Sequence, residues 1–456
     1  MKILFVNPPV IRSENSSSEN DFKIEGFVFK PEYRKIPGMS RIFTILHKYI
    51  GLGKGVRYGV RAGSRWPWTM DQPHGGPHYP FIMGYSAAFL KSNGIDVNII
   101  DSVAEEEYSY NNFIKEVKNE SPDIVVIETS TPTFDIDIWI AKTISDFADV
   151  AMAGPHVSSS YDKINSEYPF VKYLLKGEYI ISSLEMARTK EPGIYESSVV
   201  TDLDSIPFPF RDYRSATNYY DPTMPTVRPQ LQIWGGKGCP FKCTYCLWPQ
   251  TMYQGKVSLR KLEKIVQEIK EAIGKYGYKS IFFDDDTFNL GTERISKLCG
   301  ELAKIRLPWT MMGRLDCSPN WLYDKMVNSG CVGMRFGIET FDLGILKNIK
   351  KGLERTDFLK TLKYITSKHP QLMIHLTMMK DLPGQTDEIY QRDIRILQDL
   401  EYSKHSIMRS YQLATCVPFP GTEMYNRLAE EKRGEILSNY KLYDGGRDTI
   451  MSKLKV

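Results

Sequence analysis

The sequence predicts an α/β protein: an N-terminal doubly wound parallel sheet of Rossmann-like type, followed by a partial (β/α)6 barrel. Three observations predict it. Short apolar runs alternate with helix-period stretches, in two separate series. A stiff proline-rich stretch, Ile206-Pro-Phe-Pro-Phe-Arg-Asp212, divides them. The composition, 42% apolar and 25% charged over 456 residues, lets each of two or three domains bury a core.

The first series opens with a strand over 3–6, stopped by Pro8 and Pro9. Polar residues at 13–20 and a glycine-rich stretch at 51–63 break the rhythm over 10–78, which reads as an insertion with local helices. Then come a helix over 81–92 ending at Gly94, a strand over 97–100, a helix over 110–119, a strand over 124–127, a helix over 136–147, and strands over 150–153 and 171–175. Such sheets bind ligands at the carboxyl ends of their strands. The turns there are Glu128-Thr-Ser-Thr-Pro-Thr133, Ala153-Gly-Pro-His156 and Lys176-Gly-Glu178. The first domain spans 1–195 and a linker 196–228. The second series has strands over 231–234, 281–283, 309–312, 333–337, 373–377 and 410–413, with helices such as 258–273 and 354–367 between them. It fills 229–425, and function in that architecture sits at the C-terminal strand ends. Residues 426–456 read as a cap or tail.

The net charge of +4 is spread along the chain with no basic tail, so no nucleic-acid partner is expected. The opening apolar stretch is too short for a signal peptide, and no apolar run approaches a membrane span. Seven cysteines, an odd and scattered set, argue against a disulfide framework and for a reducing cytoplasm.

Cys239, Cys243 and Cys246 fall within eight residues, in the pattern CxxxCxxC. Thiolates this close wrap one metal centre. A structural zinc site would want a fourth Cys or His, but the nearest histidines are His156 and His369. A cluster held by three thiolates keeps one iron open for a ligand. Cys317, Cys331 and Cys416 are too irregularly spaced to suggest a second cluster.

The cysteine run resembles the signature of radical S-adenosylmethionine (SAM) enzymes. The likeness continues, in order, through Phe283-Asp-Asp-Asp-Thr-Phe288, Gly313-Arg-Leu-Asp316, Phe336-Gly-Ile-Glu-Thr340, Leu382-Pro-Gly384 and Pro418-Phe-Pro-Gly-Thr422. The resemblance implies a 4Fe-4S cluster on Cys239, Cys243 and Cys246, with SAM chelated by the open iron. It implies Tyr245 near the adenine, or plain packing. Glu339 would hold the ribose hydroxyls or amino group, or be paired in the core. Asp284 or Asp286 would bond the SAM ammonium or a polar neighbour; a metal on the three aspartates is disfavoured because adjacent strand residues face opposite ways. Arg314 would meet a carboxylate of SAM or substrate, or form an internal salt bridge.

The first half, with an expected five-strand order 2-1-3-4-5, resembles the cobalamin-binding domain of cobalamin-dependent (class B) radical SAM enzymes. The matching stretches are Phe5-Val-Asn-Pro-Pro9, Ser130-Thr-Pro132, Gly154-Pro-His156 and Gly177-Glu178. Ala153 stands where Gly is common, and Tyr179 where a second Gly is common. The resemblance implies that Ser130, Thr131, Gly154, His156, Gly177 and Glu178 line the cobalamin. A DxHxxG signature is absent, since Asp71-Gln-Pro-His74-Gly-Gly76 has the wrong spacing, so no histidine on cobalt is expected. Trp66 or Trp68 would lie under the corrin, or anchor a loop. A nucleotide-binding domain would want GxGxxG where Asn7-Pro-Pro9 stands. A methylthiotransferase would carry cysteines in its first domain, and residues 1–238 have none.

Together the resemblances imply a C-methyltransferase. It would move a methyl group from methylcobalamin to an unactivated sp3 carbon after hydrogen abstraction by a 5′-deoxyadenosyl radical. The alternative is a cobalamin-dependent cyclase, oxidase or rearrangement enzyme. Either needs an external flavodoxin- or ferredoxin-type electron donor and a small-molecule, peptide or protein substrate. No protein acid or base is required for hydrogen abstraction.

Overall fold

Strand β1 (Lys2–Asn7) is buried from Ile3 onward, as expected of a strand covered on both faces by helices. A computed structural model describes residues 1–13, 42, 56–60, 68–70, 76–107, 109–437 and 439–444. Three short strands, β2 (Ile11–Ser13), β3 (Val56–Val60) and β4 (Trp68–Met70), pair antiparallel. The rest of the 10–78 stretch, including the local helices expected there, lies almost wholly outside the described residues.

The first sheet adds β5 (Asp96–Asp101), β6 (Ile124–Glu128), β7 (Asp149–Ala153), β8 (Val171–Lys176) and β9 (Gly193–Glu196). All pair parallel, in the order β5-β1-β6-β7-β8-β9. The expected order 2-1-3-4-5 is present, extended by a sixth strand. The helices Phe81–Ser92 and Tyr110–Asn119 have the predicted bounds, the second capped by Ser109, whose side chain accepts from Asn112 N at 3.2 Å.

Two helices, Pro155–Glu167 and Ile180–Thr189, were not predicted. The first starts with proline at its first position, which suits a helix start. It kinks at Ser160, within a serine run whose side chains compete for backbone bonds. That weakens its apolar period.

The second sheet is β10 (Gln230–Ile233), β13 (Ser280–Phe283), β14 (Trp309–Gly313), β15 (Cys331–Glu339), β16 (Met373–Lys380) and β17 (Arg409–Thr415), parallel and in chain order. Between the first two, β11 (Gly236–Lys237) and β12 (Ser258–Leu259) pair antiparallel. The helix expected from 258 therefore begins later, at Leu262–Tyr276. The helix expected over 354–367 is a 3-10 turn, Leu353–Arg355, then Phe358–Lys368 capped by Asp357.

The strands alternate faces. Ile233, Ile281, Met311, Phe336 and Leu376 enter the apolar core under the helices. Each such burial contributes roughly 1.5–3 kcal/mol. Their neighbours Gln232, Thr310, Arg335 and His375 face the other way and are also buried. There Arg335 pairs with Asp221 and bonds Thr223, while His375 Nδ1 meets Ser410 Oγ at 2.9 Å.

The described residues fall into two compact units. The described residues within Met1–Val200 and Pro207–Asn218, and those from Ala429 to Asp444, form the first; Thr201–Ile206 and Tyr219–Leu428 form the second. Among the described residues no helix is long and apolar enough to cross a membrane.

Candidate active site

The cysteine loop leaves the C-terminal end of β10 through β11. Gly238 makes the turn at φ +80°, where a Cβ would overlap Lys256 O. Its N–H donates to Asp286 Oδ2 at 2.9 Å, and Cys239 Sγ lies 3.5 Å from Thr287 Oγ1. The ends of β10 and β13 are thus laced together beside the first cysteine. Burial raises the Cys246 thiol well above its usual range, and repulsion from Cys243 and Cys239 adds to this. Cys239 is raised by burial too, against the help of the Thr287 hydroxyl. Three thiols that repel one another as thiolates fit a shared cationic centre.

Among the described residues, no three His, Cys, Asp or Glu side chains are arranged to hold a single metal ion. Three loop cysteines, with no fourth thiolate or imidazole beside them in the sequence, fit the donor set of a 4Fe-4S cluster. All seven cysteines are free, and Cys299 and Cys331 are buried.

Glu339 ends β15 with a left-handed backbone, φ +68°. Lys351 Nζ meets its carboxylate at 2.8 Å. The space exists because residue 337 is glycine; a Cβ there would sit 2.7 Å from Glu339 Oε1 and 2.9 Å from Lys351 Nζ. Burial lowers the Lys351 pKa, but Glu339 and Cys243 outweigh it and the net shift is upward. Tyr245 is pushed well up by burial, then by Glu339, Cys243 and Cys246. The phenol therefore stays protonated beside the loop.

Arg314 takes the internal salt bridge. Its guanidinium grips Asp316 with two bonds, at 2.9 and 2.6 Å, and donates to Lys351 O at 2.6 Å. It also lies over the Phe241 ring of the cysteine loop, 3.6 Å from the centroid. The three aspartates, just past the end of β13, take different partners. Asp286 binds Gly238. Asp284 uses its carbonyl to accept from Trp234 Nε1 at 3.0 Å. Asp285 faces away, accepting Gly235 N at 2.8 Å near Arg294, which donates to Gly235 O. Burial raises Asp285 to about 7, although Arg294 opposes it.

Sequence reasoning missed Lys351, Arg294 near Asp285, and Asp381. Asp381 follows β16 at φ +59°, with its Oδ2 buried and unpartnered. The buried Cys416 thiol is raised by burial, then by Glu339 and Asp381, so these groups share one neighbourhood. A non-glycine residue at positive φ beside a strand end marks such sites once a structure is known, but leaves little trace in sequence.

In the first unit, the carboxyl ends of β6, β7 and β8 gather the predicted residues. Ser130 Oγ contacts Thr133 Oγ1 at 3.1 Å, and Thr131 Oγ1 meets His156 Nδ1 at 3.1 Å. His156 is 2% exposed, between the rings of Phe134 and Tyr440. Burial pushes it down to about 3, so it is neutral. Gly154, at φ +106°, leaves no room for a Cβ, which would overlap Thr129 O. Its smallness is used by this neighbouring turn. Gly177 N donates to Ser158 Oγ at 2.9 Å, and Glu178 accepts from Val200 N at 2.7 Å. The hydroxyls of Ser102 and Ser182, just past β5 and β8, are buried without a partner. Such groups fit a polar ligand at this edge. Trp66 lies outside the described residues, and of Trp68 only the backbone, at the start of β4, is described.

Residues 235–396 match the radical SAM superfamily. They form a radical SAM domain. The chain is 26% identical over 373 residues to an uncharacterised methyltransferase of Pyrococcus horikoshii, across 76% of this chain and 77% of the relative. It is 23% identical over 422 residues to cytidylyl-2-hydroxyethylphosphonate methyltransferase of Streptomyces wedmorensis, across 76% and 77%. Among solved structures, the radical SAM methyltransferase TsrM of Kitasatospora setae, with cobalamin and a 4Fe-4S cluster bound, is similar. Its TM-score is 0.61 at 15% identity, over 80% of this chain and 77% of that one. The likeness to TsrM is one of fold. Within the radical SAM domain, the cysteine loop, Glu339 and Asp284–Asp286 lie at the same strand ends.

Proposed function

We propose that this protein is a cobalamin-dependent radical SAM methyltransferase acting on an sp3 carbon. One observation carries the reading. A radical SAM domain with three loop cysteines shares its chain with a cysteine-free, doubly wound parallel sheet of order 2-1-3-4-5-6, as the TsrM likeness over both parts supports. Cys239, Cys243 and Cys246 would hold the cluster. Tyr245, Glu339, Asp284 and Asp286 would surround SAM. The turns at Ser130-Thr131, Gly154 and Gly177-Glu178, with the unpartnered hydroxyls of Ser102 and Ser182, would border cobalamin.

When bound, cluster and SAM supply a 5′-deoxyadenosyl radical, and cobalamin supplies the methyl group. The chain's own residues hold and orient. Lys351 neutralises Glu339, so the site gains no net charge from that carboxylate. Arg314, locked by Asp316, braces the cysteine loop through Phe241. His156, neutral and enclosed, serves as packing and is no proton carrier. A flavodoxin- or ferredoxin-type donor would supply electrons, and seven free thiols suit a reducing cytoplasm. The substrate would be a small molecule or a peptide side chain.

The test is anaerobic incubation with SAM, cobalamin, reductant and candidate substrates. Methylation gives both 5′-deoxyadenosine and S-adenosylhomocysteine with methylated product. Turnover that yields deoxyadenosine without S-adenosylhomocysteine would refute it.

A further inference from the structure

We propose that Gln250 is a positioning residue for the cluster, the strut that sets the spacing of Cys243 and Cys246. The inference rests on the reading that these cysteines hold a cluster. Gln250 lies in the short helix Leu247–Thr251, directly after the third cysteine. Its Nε2 faces three carbonyls of the cysteine loop: Cys246 O at 2.7 Å, Cys243 O at 3.2 Å and Thr244 O at 3.4 Å. Two amide hydrogens shared among three acceptors draw them toward one point. On the other side, Gln250 Oε1 accepts from Glu423 N at 2.8 Å. The amide orientation is thereby fixed, because a flipped amide would face oxygen to three carbonyls and nitrogen to an N–H donor.

The anchor is itself rigid. Thr422 caps the turn Glu423–Asn426, accepting from Tyr425 N at 3.2 Å and donating to Phe419 O at 2.6 Å. Lys350 Nζ holds the Glu423 carboxylate at 2.7 and 2.8 Å. Thr244 makes a second tie, donating to Ile349 O and accepting from Met424 N, each at 3.0 Å. Between Cys243 and Cys246 the loop has only one backbone bond of its own, Cys246 N to Cys243 O at 3.2 Å. A loop outside the sheet ladders needs such outside support to keep two sulfurs at a fixed separation. The Pro418-Phe-Pro-Gly-Thr422 stretch acquires a physical role as the abutment of this strut.

The test compares Q250M, which keeps bulk without hydrogen bonds, with Q250E, which keeps an acceptor for Glu423 N but turns oxygen toward the three carbonyls. The cluster is reconstituted anaerobically. Its survival under chelator and its reduced EPR spectrum, with and without SAM, are recorded alongside thermal melting. Cluster loss is expected to be about 10-fold faster or more in both variants, with Q250E the worse and the SAM-induced EPR change altered. Melting should stay close to the parent. Unchanged cluster survival and unchanged EPR in both variants would overturn the proposal. So would changes that merely track lowered melting equally in both. Failure of the parent protein to take up any cluster would instead sink the functional reading, and this inference with it.

Discussion

Replacing Lys351 by methionine tests the buried pair at the end of β15. The substitution keeps side-chain reach and removes the cation 2.8 Å from Glu339. Both side chains are 8% exposed, so the stranded carboxylate has little water to turn to. Removing one partner of a buried pair costs about 3–5 kcal/mol. A unit of this size loses roughly 2–4 °C of melting temperature per kcal/mol, so the radical SAM domain should melt roughly 6–20 °C lower. The left-handed backbone at Glu339 stores a further roughly 1–3 kcal/mol of strain, which the pair now holds in place. Once the pair is gone, that strain favours relaxation of the strand end. The double variant Glu339→Gln with Lys351→Met leaves neither charge and should recover much of the loss. The assay is calorimetric melting of parent, both singles and the double. A K351M cost under about 1 kcal/mol, or a double variant as unstable as the sum of the singles, would refute the reasoning.

Cys243→Ala should abolish iron uptake and the visible thiolate–iron absorbance after anaerobic reconstitution; retained iron would remove this cysteine from the ligand set. Asp285 is raised from its unfolded range to about 7 by burial. Its contribution to stability is therefore complete below about pH 4 and is lost as pH rises toward 7. Asp285→Asn should flatten that decline in urea midpoints across the same window, and an unchanged slope counts against the assignment. Gly154→Ala forces a Cβ into Thr129 O at φ +106° and should cost about 1–3 kcal/mol for the backbone strain alone. A urea midpoint equal to the parent's would show that the turn can yield.

The sheet orders were legible because buried parallel strands write themselves as apolar runs such as Ile3–Val6 and Ile124–Ile127, with turn residues between. The helix after β7 was not, because Val157-Ser-Ser-Ser160 weakens its apolar period, although Gly154-Pro155 marks a helix start. β9 was missed as a short edge strand, Gly193–Glu196, with a single fully buried position. The cysteines were legible from spacing alone. Their supports were not. Lys351 sits 12 residues from Glu339, and Gln250 sits 173 from Glu423, so only the fold brings them together. Arg314 shows the limit from the other direction: its sequence allowed a ligand contact or an internal bridge, and Asp316, two residues on, takes the guanidinium.

Tyr440 packs its ring on Phe134 at 5.2 Å and on His156 at 5.6 Å, closing the carboxyl edge of a sheet whose first strand begins at Lys2. On a ribosome, the residues of β1 emerge before the radical SAM domain, and the residue that seals this sheet emerges after it. Domains otherwise fold in order of synthesis. Here the first domain must wait with an open aromatic edge while the second is translated, so its completion follows the synthesis of residues 219–428. A nascent chain stalled at residue 428 should expose Phe134 and His156 to quenchers and proteases, and one from which Tyr440 has cleared the ribosome should not.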